Sequence, residues 1–478
     1  MIDEKKALHR WSLRCLQCHG ALTSEDLNLG CRNCGSEYPV ISGIPILVRG
    51  PLEYLRSELT SLGRVSREAR QRRESLEILK TELGLPPVSV DRHRNIIETE
   101  IARIDSLLAL LEPPASAPAD DRGLLPSAHV SGWTLEALVP FLLRDWTQTT
   151  ELEDIKDRIG VALRRAFGDF SEKSAVFPGC GAAGLLAKLA PEFGQILGFD
   201  LTLPALRAAR DLLDGKTLDL ALPRMIHPAG HVILRGDNNG SAEPPVMLAA
   251  MDAFNTAFAD GSVDCVVTAF LLDLMPAPRG LASEIHRILR DGGVWINYGP
   301  SGPLKALWRF DQNESAAFLE TAGFSVIEAD AYRTTHLDVS RDFPSWSFQN
   351  HVCYLTSARK TGHVTDTPTP TTPGAAEIPQ IVPHHFPGAQ LIQRQRLGTD
   401  AKPTTVLRHE RYPSRPQTMR VSNEAARLVA LVDGQRTVAE IAQMFIPEMP
   451  GVSVPDIIQA FSQYFEEGLL DWRGQKGR

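Results

Sequence analysis

The sequence predicts an α/β protein built on a mostly parallel sheet, with a small cysteine-rich module ahead of it and a helical module behind it. Three observations carry that prediction. From about residue 133, helical patterns alternate with short apolar strands such as "QILGFD", "GSVDCVVTAF" and "GGVWINYG". Another strand runs through a glycine turn into a helix, "SAVFPGCGAAGLLAKLA", where Gly179, Gly181 and Gly184 spell GxGxxG. Near the start, Cys15, Cys18, Cys31 and Cys34 form two CxxC pairs.

At 478 residues the chain exceeds one ordinary hydrophobic core, so two or three domains are expected. Shifts in pattern divide it into 1–50, 51–128, 129–360, 361–400 and 401–475. There is no apolar run of about twenty residues, and "MIDEKKALHR" lacks the apolar segment of a signal peptide. A cytoplasmic protein with no membrane partner is therefore expected. The net charge of −8 argues against a broad nucleic-acid footprint.

In the first segment "CLQC" and "CRNC" are separated by twelve residues. Each CxxC turn presents two thiolates to one side of a knuckle, and two knuckles complete a closed tetrahedral zinc site with no open position for chemistry. The expected zinc is structural. In a module of about fifty residues it supplies stability that a small core cannot, on the order of 10 kcal/mol. Two disulfides are the rival reading, which a reducing cytoplasm disfavours. Cys180, Cys265 and Cys353 occupy apolar strand-like contexts and read as small hydrophobes.

Residues 52–112 are charged and helix-prone. Leu76, Ile78 and Leu79, then Ile97, Ile101, Ile104 and Leu108, recur at helical spacing and predict two helices. The run "RVSREARQRRESLE" reads as a solvated helix face, with an anionic partner as the alternative. "EPPASAPADDRG" predicts a break near 112–128.

In the sheet, glycines allow a tight turn and bring backbone amides against a ligand, either a dinucleotide pyrophosphate or the methionine part of S-adenosylmethionine. The next strand ends at Asp200, sixteen residues beyond Gly184, where an acid can accept from ribose hydroxyls. Both cofactors fit that much. An acid after the third strand can accept from an adenine amino group; Asp252 in "MDAFNTAF" is preferred over Asp237, whose "GDNNG" reads as a turn. Asp273, which interrupts "VVTAFLLDLM", is expected at the carboxyl end of strand four, facing the crevice where open α/β sheets bind ligands. Its other reading is a cap for a helix beginning near Pro276.

Beyond the sheet, "TDTPTPTTPG" and "IPQIVPHHFPG" predict an extended linker over 361–400, with His384 and His385 as linker residues and a metal role as the minor alternative. Three short helices follow. Thr437 and Glu440 form a capping box; Val438, Ile441, Ala442 and Phe445 make one apolar face, and Ile457, Ile458, Phe461 and Phe465 another.

Four stretches carry resemblances. "YPVISGIPILV", after the cysteines, resembles the closing strands of zinc ribbons of the type that activates transfer-RNA methyltransferases; a folded cap on the next domain is the plainer reading. The downstream order, with helix "NESAAFLETA", strand "FSVIEADAYR" and last strand "QNHVCYLTSARK", resembles a Rossmann-like class I S-adenosylmethionine-dependent methyltransferase, whose sheet ends in a reversed hairpin. Over about 131–360, "FLLRDW", "FPGCGAAGLLAKLA", "LPRMIHP", "VDCVVTAFLLD" and "GGVWINYGP" resemble the carnosine N-methyltransferase family. "NEAARLVALVDGQRTVAEIA" resembles PqqD-like winged-helix domains, which recognise leader peptides.

The carnosine N-methyltransferase resemblance implies cofactor contacts at Arg144, Gly181, Asp200 and Asp252, with Phe141, Ala253 and Ala269 at further contact positions, and an acceptor contact at Asp273. An aspartate there could hold an imidazole N–H and stabilise the positive charge that grows as the other nitrogen attacks the methyl group. The chain departs from that family where "SGPLKALWRF" lacks its histidine and "SWSFQNHVCYL" its tyrosine cluster; Tyr298, His351 or Trp346 could substitute. The expected function is N-methylation, with histidine imidazole as the expected acceptor, on a peptide or protein, possibly carrying a leader segment, held by the C-terminal domain. The alternatives are an RNA methyltransferase using the ribbon, a small-molecule histidine or carnosine-like N-methyltransferase, and a non-catalytic binding protein.

Overall fold

The computed structural model describes residues 10–25, 28–115, 135–147, 149–223, 227–236, 246–275, 278–300, 310–337, 349–361, 376–385, 389–394, 404–409, 417–421, 423–449, 452–466 and 470–471. Asp237 and Trp346 lie outside them, as does the side chain of His351. The chain forms two units, one within residues 1–365 and one built chiefly from 366–478.

The first unit opens with β1 (Leu22–Glu25), β2 (Asn28–Cys31), β3 (Glu37–Ile41) and β4 (Ile44–Leu47). Strands β3 and β4 pair Ile41 with Ile44 across Ser42 (φ 50°) and Gly43 (φ 77°), both left-handed as a tight hairpin turn requires. Helices α1 (Pro51–Leu83) and α2 (Pro87–Ala115) follow, separated by Gly84 in a left-handed cap. Leu76, Ile97, Ile101 and Ile104 are buried as expected, but Ile78 is 58% exposed. Helix α2 runs through Pro113 and Pro114 to Ala115, beyond the break expected at 112. The basic run lies on α1 and is partly spent on α2, with Arg70 2.6 Å from Asp105 and Arg72 2.8 Å from Glu100.

Then come α3 (Leu135–Trp146), α4 (Thr150–Phe167), β5 (Ser174–Pro178), α5 (Gly184–Leu189), β6 (Gln195–Asp200) and α6 (Leu203–Leu213). A hairpin of β7 (Thr217–Ala221) and β8 (His231–Arg235) precedes β9 (Val246–Met251) and β10 (Val263–Ala269). The unit closes with α7 (Pro278–Ile288), β11 (Leu289–Gly299), α8 (Gln312–Thr321), β12 (Phe324–His336) and β13 (Gln349–Lys360). Strands β5 and β9 are buried at every residue, which is why they read as unbroken apolar runs: both sheet faces are covered.

One sheet contains eleven strands, in the order β1-β2-β3-β4-β9-β6-β5-β10-β11-β13-β12. From β4 to β11 neighbouring strands run parallel; β13 is antiparallel to both β11 and β12, the expected reversed hairpin. The cysteine module is part of this sheet. Its β4 pairs in parallel with β9, and Cys15, Cys31 and Tyr38 share a core with Phe199, Met251 and Phe258.

The second unit holds β14 (His384–His385), β15 (Gln390–Arg394), β16 (Thr404–His409), β17 (Gln417–Val421), α9 (Asn423–Ala430), α10 (Val438–Phe445), α11 (Val454–Glu466) and β18 (Leu470–Asp471). Thr437 and Glu440 form the expected capping box. Val438, Ile441, Ala442 and Phe445 are buried against Ile457, Phe461 and Phe465, while Ile458 is partly buried. The linker expected over 361–400 is structured in part: Ile378 is fully buried in this core, His384 and His385 pair with β18, and β15 pairs with β16. Among the described helices, none is long and apolar enough to cross a membrane.

Candidate functional site

The four cysteines converge. Their sulfurs lie within 4.8 Å of one another, Cys15 to Cys34 at 3.6 Å and Cys18 to Cys31 at 3.4 Å. Zinc–sulfur bonds of about 2.3 Å in a tetrahedron separate sulfurs by roughly 3.8 Å, so the set is of the size a zinc ion needs. Burial alone would push Cys15 up, but hydrogen bonds from the Tyr38 hydroxyl and from backbone N–H groups bring it down to about 6. Cys18, although lowered by the Gly20 N–H, is pushed up to about 12 by sharing with Cys31 and Cys34. Thiols so crowded cannot all ionise without a cation among them.

The glycine turn sits between β5 and α5. Gly179 is left-handed (φ 65°), and a Cβ there would come within 2.6 Å of Leu271 Cδ1. Gly184 has no room for a side chain: a Cβ would lie 2.4 Å from that of Asp145 on α3. The close approach is used, since Gly184 N–H donates to Asp145 Oδ2 at 3.0 Å and Trp146 Nε1 donates to Ala182 O at 2.8 Å. Gly181 N–H donates to Asp200 Oδ2 at 3.0 Å, and Thr202 N–H donates to Asp200 Oδ1 at 2.7 Å. Each oxygen keeps a second lone pair.

Arg144 is buried between two rings, its Cζ 5.6 Å from the Phe141 centroid and 5.5 Å from that of Phe270. Its Nε donates to Asp145 Oδ1 at 2.8 Å, whereas Nη1 makes no hydrogen bond among the described residues and lies 3.9 Å from Glu151 Oε1. That orphaned nitrogen fits an anionic ligand group such as a carboxylate.

Strand register places the remaining residues. Asp200 pairs with Ala250, so Asp252 stands two residues further along the adjacent strand's course, and Ala253 follows it. Asp252 Oδ1 accepts from Phe254 N–H at 2.9 Å, which orients the carboxylate. Ala269 ends β10 opposite Tyr298. Phe270 then adopts a left-handed backbone (φ 54°), unusual for a bulky side chain, held by donating its N–H to Tyr298 O at 2.8 Å. Asp273 therefore lies in a short 3-10 turn, Leu272–Leu274, four residues past the strand rather than on its end. It is half-buried with Oδ1 shielded from solvent, and helix α7 begins five residues later, so Asp273 is not in the cap position.

On β13, burial and then the carboxylates of Asp273 and Glu151 push the Cys353 thiol up to about 12. Tyr298, expected as an acceptor contact, is fully buried with its ring edge-on to Phe270 at 5.7 Å, and burial pushes its hydroxyl well above the usual range.

Residues 177–296 match the family described as a methyltransferase domain. This stretch, about a quarter of the chain, is similar to a methyltransferase domain. Carnosine N-methyltransferase of Dictyostelium discoideum is 25% identical over 190 residues, 35% of this chain and 41% of that protein. Phosphatidylethanolamine N-methyltransferase of Cereibacter sphaeroides is 40% identical over 77 residues, 14% of this chain and 38% of that protein. The chain thus spans about two fifths of the length of these relatives. Magnesium protoporphyrin IX methyltransferase from Synechocystis, solved with bound SAH, is 14% identical, with 44% of this chain and 83% of that chain covered at a TM-score of 0.31.

Several residues at the site escaped the reading from sequence. Asp145 stood inside the quoted "FLLRDW", where an acid beside an arginine was the available signal. Tyr54, fully buried on α1, donates its hydroxyl to Leu201 O at 2.8 Å beside Asp200, a partnership across 147 residues with no local signature.

Proposed function

We propose that the protein is an S-adenosylmethionine-dependent N-methyltransferase acting on a peptide or protein side chain, with histidine imidazole as the acceptor that suits the site best. The observation that carries this reading is the buried Arg144 Nη1, which makes no hydrogen bond among the described residues, beside a glycine turn whose amides and acid are already set. In this reading Arg144 receives the cofactor's carboxylate, Asp200 accepts from its ribose hydroxyls, Asp252 accepts from its adenine amino group, and Ala253 and Ala269 line the crevice. The four cysteines hold a structural zinc ion.

S-adenosylmethionine supplies a methyl group on a sulfonium, already a good leaving group, so the protein's share is in-line placement of the acceptor, worth roughly 7–11 kcal/mol. Asp273 orients the ring by accepting from one imidazole N–H and stabilises the imidazolium that develops as the other nitrogen gains the methyl group. Glu151, whose carboxylate also acts on Cys353, adds to the negative field favouring a cationic product. The C-terminal unit acts as a PqqD-like winged-helix module that captures the peptide and raises its concentration near the crevice. The RNA alternative loses ground because basic residues of α1 are paired with acids of α2.

The test is Asp273→Asn. With histidine-containing peptides and radiolabelled cofactor, kcat is expected to fall by about 10²-fold while cofactor affinity stays within roughly twofold. Unchanged turnover would remove Asp273 from the chemistry.

A further inference from the structure

We infer that a cleft bounded by α2, α6 and β7 is a binding site for a small organic monocarboxylate. The cleft encloses about 210 Å³. Thr99, Arg103 and Ser106 reach it from one face of α2, and Arg207 and Asp211 from one face of α6. Leu107, Pro204, Ala208 and Leu218 supply apolar wall, with Asp219 of β7 also lining the cleft.

Arg103 is the unusual member. Its Nη2 is sealed from solvent and makes no hydrogen bond among the described residues. Burial pulls the guanidinium down to about 10, partly countered by Asp211. Yet Asp211 is already engaged, 2.6 Å from Arg207 Nη2 and 3.1 Å from Lys216 Nζ, and Asp219 is 2.6 Å from His231 Nδ1. Arg207 and Asp211 thus satisfy each other, Lys216 also reaches Asp214 at 3.3 Å, and Arg103 Nη2 is left as a sealed donor with no hydrogen bond among the described residues. A sealed guanidinium donor without an acceptor is unfavourable, and a native fold that keeps one usually has an occupant for it.

Charge and size select that occupant. A single carboxylate supplies the acceptor that Arg103 lacks; a phosphate dianion would also face Asp211 and Asp219. The volume is that of about seven waters at roughly 30 Å³ each and falls below the roughly 300 Å³ at which drug-sized pockets begin. An acid of about ten non-hydrogen atoms fits, its carboxylate on Arg103 and its alkyl or aryl body on the apolar wall.

Benzoate is the probe, titrated into the full chain by calorimetry and thermal unfolding, beside neutral benzamide and inorganic phosphate. Benzoate is expected to bind saturably and raise the Tm, with benzamide silent and phosphate weaker. Arg103→Met should weaken benzoate at least tenfold and raise the Tm of the unliganded protein, because it removes a sealed donor that has no acceptor. Leu218→Trp, which fills the wall, should abolish the response while leaving Arg103 in place. Equal binding of benzamide, stronger binding of phosphate, a full benzoate response in either variant, or a lowered unliganded Tm in Arg103→Met would each overturn the assignment.

Discussion

Glu58 shows how a single side chain beside the crevice affects the whole fold. It lies on α1 one turn after Tyr54, is 4% exposed, and burial raises its carboxyl to about 8. Because the folded pKa is raised, the stability this group contributes is complete below its unfolded value of 4.5 and is lost as pH climbs through about 8. Glu58→Gln should therefore unfold at the same temperature as wild type at about pH 4 and at a higher one at about pH 9, a divergence that thermal melts across pH read directly. Coincident melts at alkaline pH would show that Glu58 is not held protonated. Neither Glu58 nor Tyr54 could have been picked from the sequence, since both sit in a charged helical stretch whose partner strands lie far along the chain. Asp200 and the three glycines could, because strand, turn, helix and acid are all local. Asp273 was legible as a residue but not in its placement: the left-handed Phe270 ends the strand early.

Among the elements, β4 carries the most consequence. By pairing with β9 it extends the sheet and covers the edge of the strand that leads to Asp252, and the core around Cys15 and Cys31 continues into Phe199 and Phe258. The four-cysteine cluster and the parallel sheet are thus parts of one body. Chelating the proposed zinc, or replacing Cys31 by Ser, should lower the melting temperature of that body by of order 10 °C in a single transition. A separate early transition that leaves the sheet's own transition unmoved would contradict this, and calorimetry separates the two. The CxxC spacing made the cluster legible, whereas the β4–β9 pairing joins strands about 200 residues apart and has no sequence signature. Compositional reading failed in the other direction at Ile378: proline- and threonine-rich surroundings suggested a linker, yet one well-placed isoleucine anchors the stretch in the second unit's core. Periodicity also misled at Ile78, where its neighbours' helical spacing did not put it on the packed face.

At the scale of the molecule, the chain divides into two units, and the proposed function gives the chemistry to the first and peptide capture to the second. Removing residues 366–478 should leave cofactor affinity within about twofold while raising KM for a peptide acceptor by about 10²-fold, the size of effect that tethering commonly supplies. An unchanged KM would reduce the second unit to a structural role. The proposed function depends on the crevice at the ends of β5, β6 and β9 binding S-adenosylmethionine. Calorimetric titration of the full chain with S-adenosylmethionine measures that directly: saturable binding with one site is expected, weakened at least tenfold, about 1.4 kcal/mol, by Asp200→Ala. No binding by the wild type, or equal binding by the variant, would contradict it.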